Sequence, residues 1–296
     1  MAGTLHLNLA KVPSIWATYP WVVLTRRPPI TEVTDPREIS VSVRGVRIDA
    51  ALAERYAAMC GFGPGQGLPV TFPHVLATPL HLKIFALSAF ELRPMGLIHL
   101  SNSIECPGTL EPGRPMDITV AACNYRRTDA GLAFDMATTI SADGEALWRE
   151  TCVFLSRWPD PAERTGGRPP RPPRAPKDAA TLAQIEVTPG TAWDYARVSS
   201  DYNPIHLSDR AARFLGLRGA IGHGMWSLAR SLAQTPAPAI PRGTRIETQF
   251  LTPVQLPGRV VIREWAEEGK NKRALCDLRT GRVHMYAWWD EVSRPA

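Results

Sequence analysis

Cysteine is scarce and scattered in this chain. Its five cysteines among 296 residues, Cys60, Cys106, Cys123, Cys152 and Cys276, form no C-x-x-C pair, so neither a zinc site nor a disulfide framework is indicated. A reducing cytoplasm is the expected setting. Long apolar runs are missing as well. Nothing approaches the roughly 20 residues of a membrane-spanning helix, and a soluble protein with no membrane span is expected. The one apolar stretch near the start, in MAGTLHLNLAKVPSIWATYPWVVLTRRPP, is short, is interrupted by Pro20 and lacks a basic start or a small-residue cleavage site. It reads as an ordinary mature segment. Acidic residues are absent from RTGGRPPRPPRAPK, residues 164–177, which carries five of the basic residues behind the net charge of +6. No reading motif accompanies that charge, which argues against a nucleic-acid partner. A proline-rich basic stretch is a semi-rigid solvated linker that can also attract phosphate-bearing ligands or an acidic carrier protein.

What is present is ordinary globular composition, 44% hydrophobic and 21% charged, at a length that suggests two domains. The linker, taken as 161–181, separates 1–160 from 182–296. Each side shows helical signals first and alternating strands last. In the first half ALAERYAAMCGF reads as a helix, and ATPLHLKIFALSAF as a long apolar one capped by Thr78 with Pro79 at its first position. Four strand-like segments follow, with Asp129-Ala130-Gly131 and Asp143-Gly144 as turns. The second half repeats the plan. A helix starts at Thr188-Pro189, an apolar helix is entered through Gly222 and Gly224, and four alternating segments close the chain, the last with Val283, Met285, Ala287 and Trp289 on one face. The layout is α+β: two antiparallel sheets, each wrapped around one apolar helix.

Between the two helices of the second half stands SSDYNPIHLS, residues 199–208. Residues five apart diverge on a helix, so Asp201 and His206 can share a task only if the backbone bends between them. Asn203-Pro204 supplies the bend, because proline fixes its own φ and pushes the preceding residue out of the helical region. An imidazole that titrates near 6.5 can accept and donate a proton at neutral pH, and a carboxylate beside it can orient a water. Read without that chemistry, Asp201 would cap the short helix that follows and His206 would be a packing histidine.

YARVSSDYNPIHLSDRAARFLGLRGAIGHGMW resembles the MaoC-like (R)-specific enoyl-CoA hydratase and 3-hydroxyacyl-thioester dehydratase family, in the Asp-x-Asn-Pro-x-His of residues 201–206 and the His-Gly-Met of 223–225. The duplicated plan is similar to that family's double hot-dog proteins. The resemblance implies reversible hydration of trans-2-enoyl thioesters to (R)-3-hydroxyacyl thioesters, with no metal and no redox cofactor. It implies that Asp201 and His206 are catalytic and that Gly224, at a helix start, donates its N–H to the thioester carbonyl. Ser200 departs from it, standing where the family usually has glycine. His223 reads as structural. Arg213 and Arg218 are candidates for the phosphates of coenzyme A or of an acyl carrier protein's phosphopantetheine arm. The first half has no Asp-x-Asn-Pro-x-His, and His74, His81 and His99 read as polar-tipped packing residues. It looks like a hot dog that lost its site, kept for its structure or for room to hold the acyl chain. A hot-dog thioesterase and a non-catalytic acyl-thioester-binding protein are the alternatives. One chain already supplies two hot dogs, so a monomer or a homodimer fits.

Overall fold

A computed structural model describes residues 3–33, 35–64, 66–159, 174–235 and 243–290. Residues 161–173 of the expected linker lie outside them. The chain forms two compact units. The first comprises residues 1–48, 73–102 and 110–170, and the second 49–72, 103–109 and 171–296. Two segments that precede the linker therefore belong with the residues that follow it.

The first unit is a sheet of β1 (Leu5–Leu9), β2 (Ile39–Val46), β4 (Met116–Thr128), β5 (Gly131–Ala142), β6 (Glu145–Arg157) and β3 (Ile98–Glu105), in that spatial order. The pairs β2·β4, β4·β5 and β5·β6 are antiparallel, and β1 runs parallel to β2. The turn between β5 and β6 puts Asp143 and Gly144 both at positive φ, 51° and 82°, the requirement of a tight hairpin turn. Helix α1 (Ile15–Leu24) follows β1, and the apolar helix α3 (Phe72–Ala86) carries Val75, Ala77, Leu80 and Ile84 into the core.

The second unit orders its strands β8 (Arg245–Phe250), β11 (Val283–Asp290), β10 (Lys270–Asp277), β9 (Gly258–Glu267) and β7 (Ala180–Val187), with every pair antiparallel. Val283, Met285, Ala287 and Trp289 all face the core. Helix α7 (Gly224–Leu232) packs on β10 and β11. Helices α4 (Pro189–Ser199), α5 (Pro204–Leu207) and α6 (Asp209–Phe214) fill the stretch between β7 and α7, and α2 (Ala50–Cys60) packs against α4 and α7.

Two expectations are corrected. Strands, not helices, open both halves, because β1 and β7 lie at sheet edges where, Val187 apart, their residues are only half-buried or exposed. Helix α3 starts at Phe72 and runs through Pro79 instead of beginning there. Proline removes one ladder donor, and the Thr78 hydroxyl donates back to the His74 carbonyl at 3.1 Å one turn upstream. Burial of the helix then outweighs the local break.

The polar residues of the first unit form a network and do more than fill space. His74 on α3 meets the fully buried Glu150 of β6, Nδ1 to Oε2 at 2.7 Å, and the Asn102 amide donates to the other Glu150 oxygen at 2.6 Å. His81 contacts the Thr138 hydroxyl at 3.0 Å. Burial raises the Glu150 carboxyl, but His74, His81 and the Asn102 amide together pull it down to about 2.

Candidate active site

The site is built by three consecutive backbone devices. Thr188 caps α4 and shares a reciprocal capping box with Thr191, and the helix ends at Ser200, whose N–H returns to the Ala196 carbonyl at 2.8 Å. Ser200 takes the left-handed conformation, φ 63° and ψ 13°. That is the cap geometry in which glycine is the least strained residue, and it accounts for glycine at this position in the resembled family. Serine keeps the same turn at a small cost.

Asp201 comes next. Its Oδ1 accepts the Asn203 N–H at 3.2 Å. The Asn203 carboxamide oxygen caps α5 through the Ile205 N–H at 3.3 Å, with Pro204 at the first helical position. Asn203, and not Asp201, is therefore the cap of α5. One turn on, His206 donates from Nδ1 to the Ile221 carbonyl at 2.9 Å. With that proton committed, the neutral ring carries its lone pair on Nε2.

His206 Nε2 and Asp201 Oδ2 stand 3.9 Å apart. The gap is too long for a direct hydrogen bond and right for one water oxygen about 2.8 Å from each. The Asp201 side chain is 43% exposed against 10% for His206, so the carboxylate is the solvent-facing partner. Burial lowers the His206 pKa, opposed by the Asp201 charge and the Ile221 carbonyl. The ring is a base that stays neutral at physiological pH.

His223 is the residue whose place sequence reasoning underrated. Its Nε2–H donates to the Asp201 backbone carbonyl at 3.1 Å, its Nε2 also lies 3.9 Å from Asp201 Oδ2, and its ring stacks on His206 at 3.8 Å between centroids. Tyr195 of α4 covers its other side at 4.9 Å, with Tyr56 of α2 beyond. Burial, and then the adjacent His206, push the His223 pKa down to about 3. An imidazole that is neutral at physiological pH thus braces the loop that carries Asp201. The donor atoms of Asp201, His206 and His223 lie within 4.8 Å of one another, as do those of His74, Glu150 and Cys152. Both sets already have internal hydrogen-bond partners that account for their arrangement.

The carbonyl that orients His206 is itself held in place. Asp209 Oδ1 accepts the Ala220 N–H at 2.8 Å, the Ile221 N–H goes to the Ile205 carbonyl at 3.1 Å, and Gly222 donates to the Val254 carbonyl at 2.8 Å. Asp209 was not singled out from the sequence. Its signal was the Ser208 cap that starts α6 beside it, because the carboxylate of a first-turn residue is free to reach a neighbouring loop.

Gly224 opens α7, capped by the His223 backbone with no side-chain hydrogen bond, so the first-turn N–H groups and the positive helix end are presented together. A Cβ there would stand 3.0 Å from the Phe250 ring, whereas at Gly222 the nearest neighbour would be 3.5 Å away. A Cβ at 224 would thus require the Phe250 ring to give by a few tenths of an ångström, whereas one at 222 would make ordinary contact. Arg213 and Arg218 are both exposed; Arg213 is 3.5 Å from Asp209 and donates to the Arg218 carbonyl at 3.2 Å.

Comparison with known proteins finds relatives over most of the chain. Residues 171–285 match the family described as MaoC like domain. The 3-hydroxyacyl-thioester dehydratase X of Mycobacterium tuberculosis is 30% identical over 251 residues, which cover 84% of this chain and 88% of that protein. The crystal structure of HtdX from the same organism superposes with a TM-score of 0.70 at 27% identity, covering 86% of this chain and all of that one. A MaoC-like dehydratase from Phytophthora capsici has the same double hot-dog fold, with a TM-score of 0.66 at 17% identity over 90% of this chain and 98% of that one.

Proposed function

We propose, from the premise that this chain belongs to the MaoC-like family of hydratases and dehydratases, that Asp201 and His206 hold a single water and add it across the double bond of a trans-2-enoyl thioester. The enzyme is a hydro-lyase of fatty acyl metabolism; the assignment of its catalytic groups rests on the 3.9 Å gap between Asp201 Oδ2 and His206 Nε2. In the hydration direction His206 Nε2 takes a proton from that water while Asp201 orients it. The oxygen bonds to C3, the π electrons move toward C2 and the thioester oxygen, and C2 then receives a proton from the pair, restoring both groups. The Gly224 N–H and the α7 end meet the negative charge that develops on the thioester oxygen. Dehydration to the enoyl form is the same path reversed. The (R) configuration is the product geometry this family likeness supports.

No metal or redox cofactor enters this scheme. The acyl group comes on coenzyme A or an acyl carrier protein, with Arg218 the freer phosphate contact because Arg213 already meets Asp209. The first unit serves the acyl chain or the fold, the enzyme works in the cytoplasm, and a homodimer is part of the same reading. Loss of the conjugated enoyl absorbance with trans-2-enoyl-CoA substrates of graded length tests the chemistry. Turnover in Asp201→Ala and His206→Ala should fall about a hundredfold or more. Near-normal turnover in both folded variants, or release of free thiol in place of hydration, would overturn it.

A further inference from the structure

The segment that offers its carbonyl to His206 is fastened largely through its main chain. The Ile221 N–H donates to the Ile205 carbonyl at 3.1 Å, the Gly222 N–H to the Val254 carbonyl at 2.8 Å, and the Ala220 carbonyl accepts the Leu256 N–H at 3.0 Å. None of these bonds involves a side chain. A further one does, because the N–H of the buried Ala220 donates to Asp209 Oδ1 at 2.8 Å. Two neighbours aim the carboxylate there. Ser208 caps α6 through the Ala211 N–H at 3.3 Å, which sets Asp209 in the first turn. Arg213, one turn later, lies 3.5 Å from Asp209 Oδ2 while its Nε donates to the Arg218 carbonyl at 3.2 Å. Carboxylate and guanidinium thus fasten the loop at 218 and at 220.

Gly219 leaves room for that contact. A Cβ at 219 would stand 3.1 Å from Asp209 Oδ1 and 3.6 Å from its Cγ, so a larger residue would press the carboxylate away by a few tenths of an ångström. What the arrangement protects is the direction of one carbonyl. The Ile221 oxygen takes the His206 Nδ1 proton at 2.9 Å and so leaves the lone pair on Nε2, the atom 3.9 Å from Asp201 Oδ2. With that carbonyl turned away nothing holds the proton on Nδ1, and a neutral ring protonated at Nε2 has no lone pair there to accept a proton. We infer that Asp209 is a positioning residue: through Ala220 it holds the Ile221 carbonyl that sets the His206 tautomer, and Arg213 and Gly219 keep it in place. The inference rests on the proposed role of His206 as the base. Arg213 is then engaged in the loop and not with the carrier's phosphates.

The test is nitrogen NMR on the full chain with isotopically labelled histidine, read without substrate, with the His206 signals assigned against His206→Ala. Wild type should carry the His206 proton on Nδ1. D209A should show a mixture with the Nε2–H form, and in the enoyl-absorbance assay its kcat should fall about tenfold or more with KM changed little. D209N loses the charge but keeps an oxygen that accepts the Ala220 N–H, so it should retain the tautomer and most of the turnover. G219A, which displaces the carboxylate without removing it, should fall between the two, and it carries the comparison if circular dichroism shows D209A unfolded. A folded D209A with the wild-type tautomer, whatever its turnover, would overturn the inference, as would D209N impaired as severely as D209A. The tautomer needs no substrate, which separates failure of this inference from failure of the hydratase reading, seen as a wild type with the Nδ1 proton in place and no turnover on any enoyl thioester.

Discussion

Ser200 sits where a left-handed turn ends α4, one residue before the carboxylate on which the proposed chemistry depends. A side chain at φ 63° costs about 1 kcal/mol relative to glycine, partly offset by the greater freedom glycine has when unfolded. Ser200→Gly is therefore expected to stabilise the protein by about 0.5 kcal/mol, read as a small rise in the urea midpoint, with turnover kept. A loss of turnover would mean that the hydroxyl, and not just the turn, serves Asp201. At the same scale the three acceptors and donors around Asp201 and His206 divide the work. Asn203 takes the capping role, Ile221 sets the histidine tautomer, and His223 braces the Asp201 carbonyl.

In the proposed function, the start of α7 joins binding to chemistry. A Cβ at 224 would press on the Phe250 ring at 3.0 Å, so either the ring or the helix end must move. A shift of a few tenths of an ångström in a donor aimed at a developing oxyanion matters much more to the rate than to the fold. Gly224→Ala should lower kcat about tenfold to a hundredfold in the enoyl-absorbance assay, with the melting temperature changed little. Gly222→Ala is the control, because its nearest neighbour at 3.5 Å is ordinary contact. Equal loss in the two variants would show that both glycines serve only the packing of the helix on the sheet.

Over the whole molecule, buried titratable groups set the response to acid. His81 and His223 are held down to about 3, by burial first and by neighbouring histidines second. Their unfolded forms titrate near 6.5, so below that pH the unfolded chain binds protons that the folded chain refuses. Glu150, at about 2 in the fold, acts with the same sign below its unfolded value near 4.5. Stability should therefore be fully present above about pH 6.5 and fall continuously toward acid, measured as a declining urea midpoint between about pH 7 and pH 4. Glu150→Gln should flatten the part of that slope below about pH 4.5 and destabilise the fold by about 1–3 kcal/mol, since it disrupts the buried contacts that the Glu150 carboxylate makes with His74 and Asn102. A midpoint independent of pH would contradict the burial of these groups.

Local chemistry in the sequence determined the bend at Asn203-Pro204, the capped start of α4, the glycine entry of α7, the hairpin at Asp143-Gly144 and the core face of the last strand. Each is set by residues within a few positions of one another: a proline bend, a cap, a pair of turn residues, an alternation of period two. Only the tertiary structure decided what depends on distant partners. It placed His223 against Asp201, supplied the Ile221 carbonyl to His206 through a loop held by Asp209, and paired His74 with Glu150 across 76 positions. It also carried α3 through Pro79 and drew α2 into the second unit. A buried polar group takes whichever partner the packed fold brings within hydrogen-bond reach, and neither spacing nor periodicity along the chain encodes that distance.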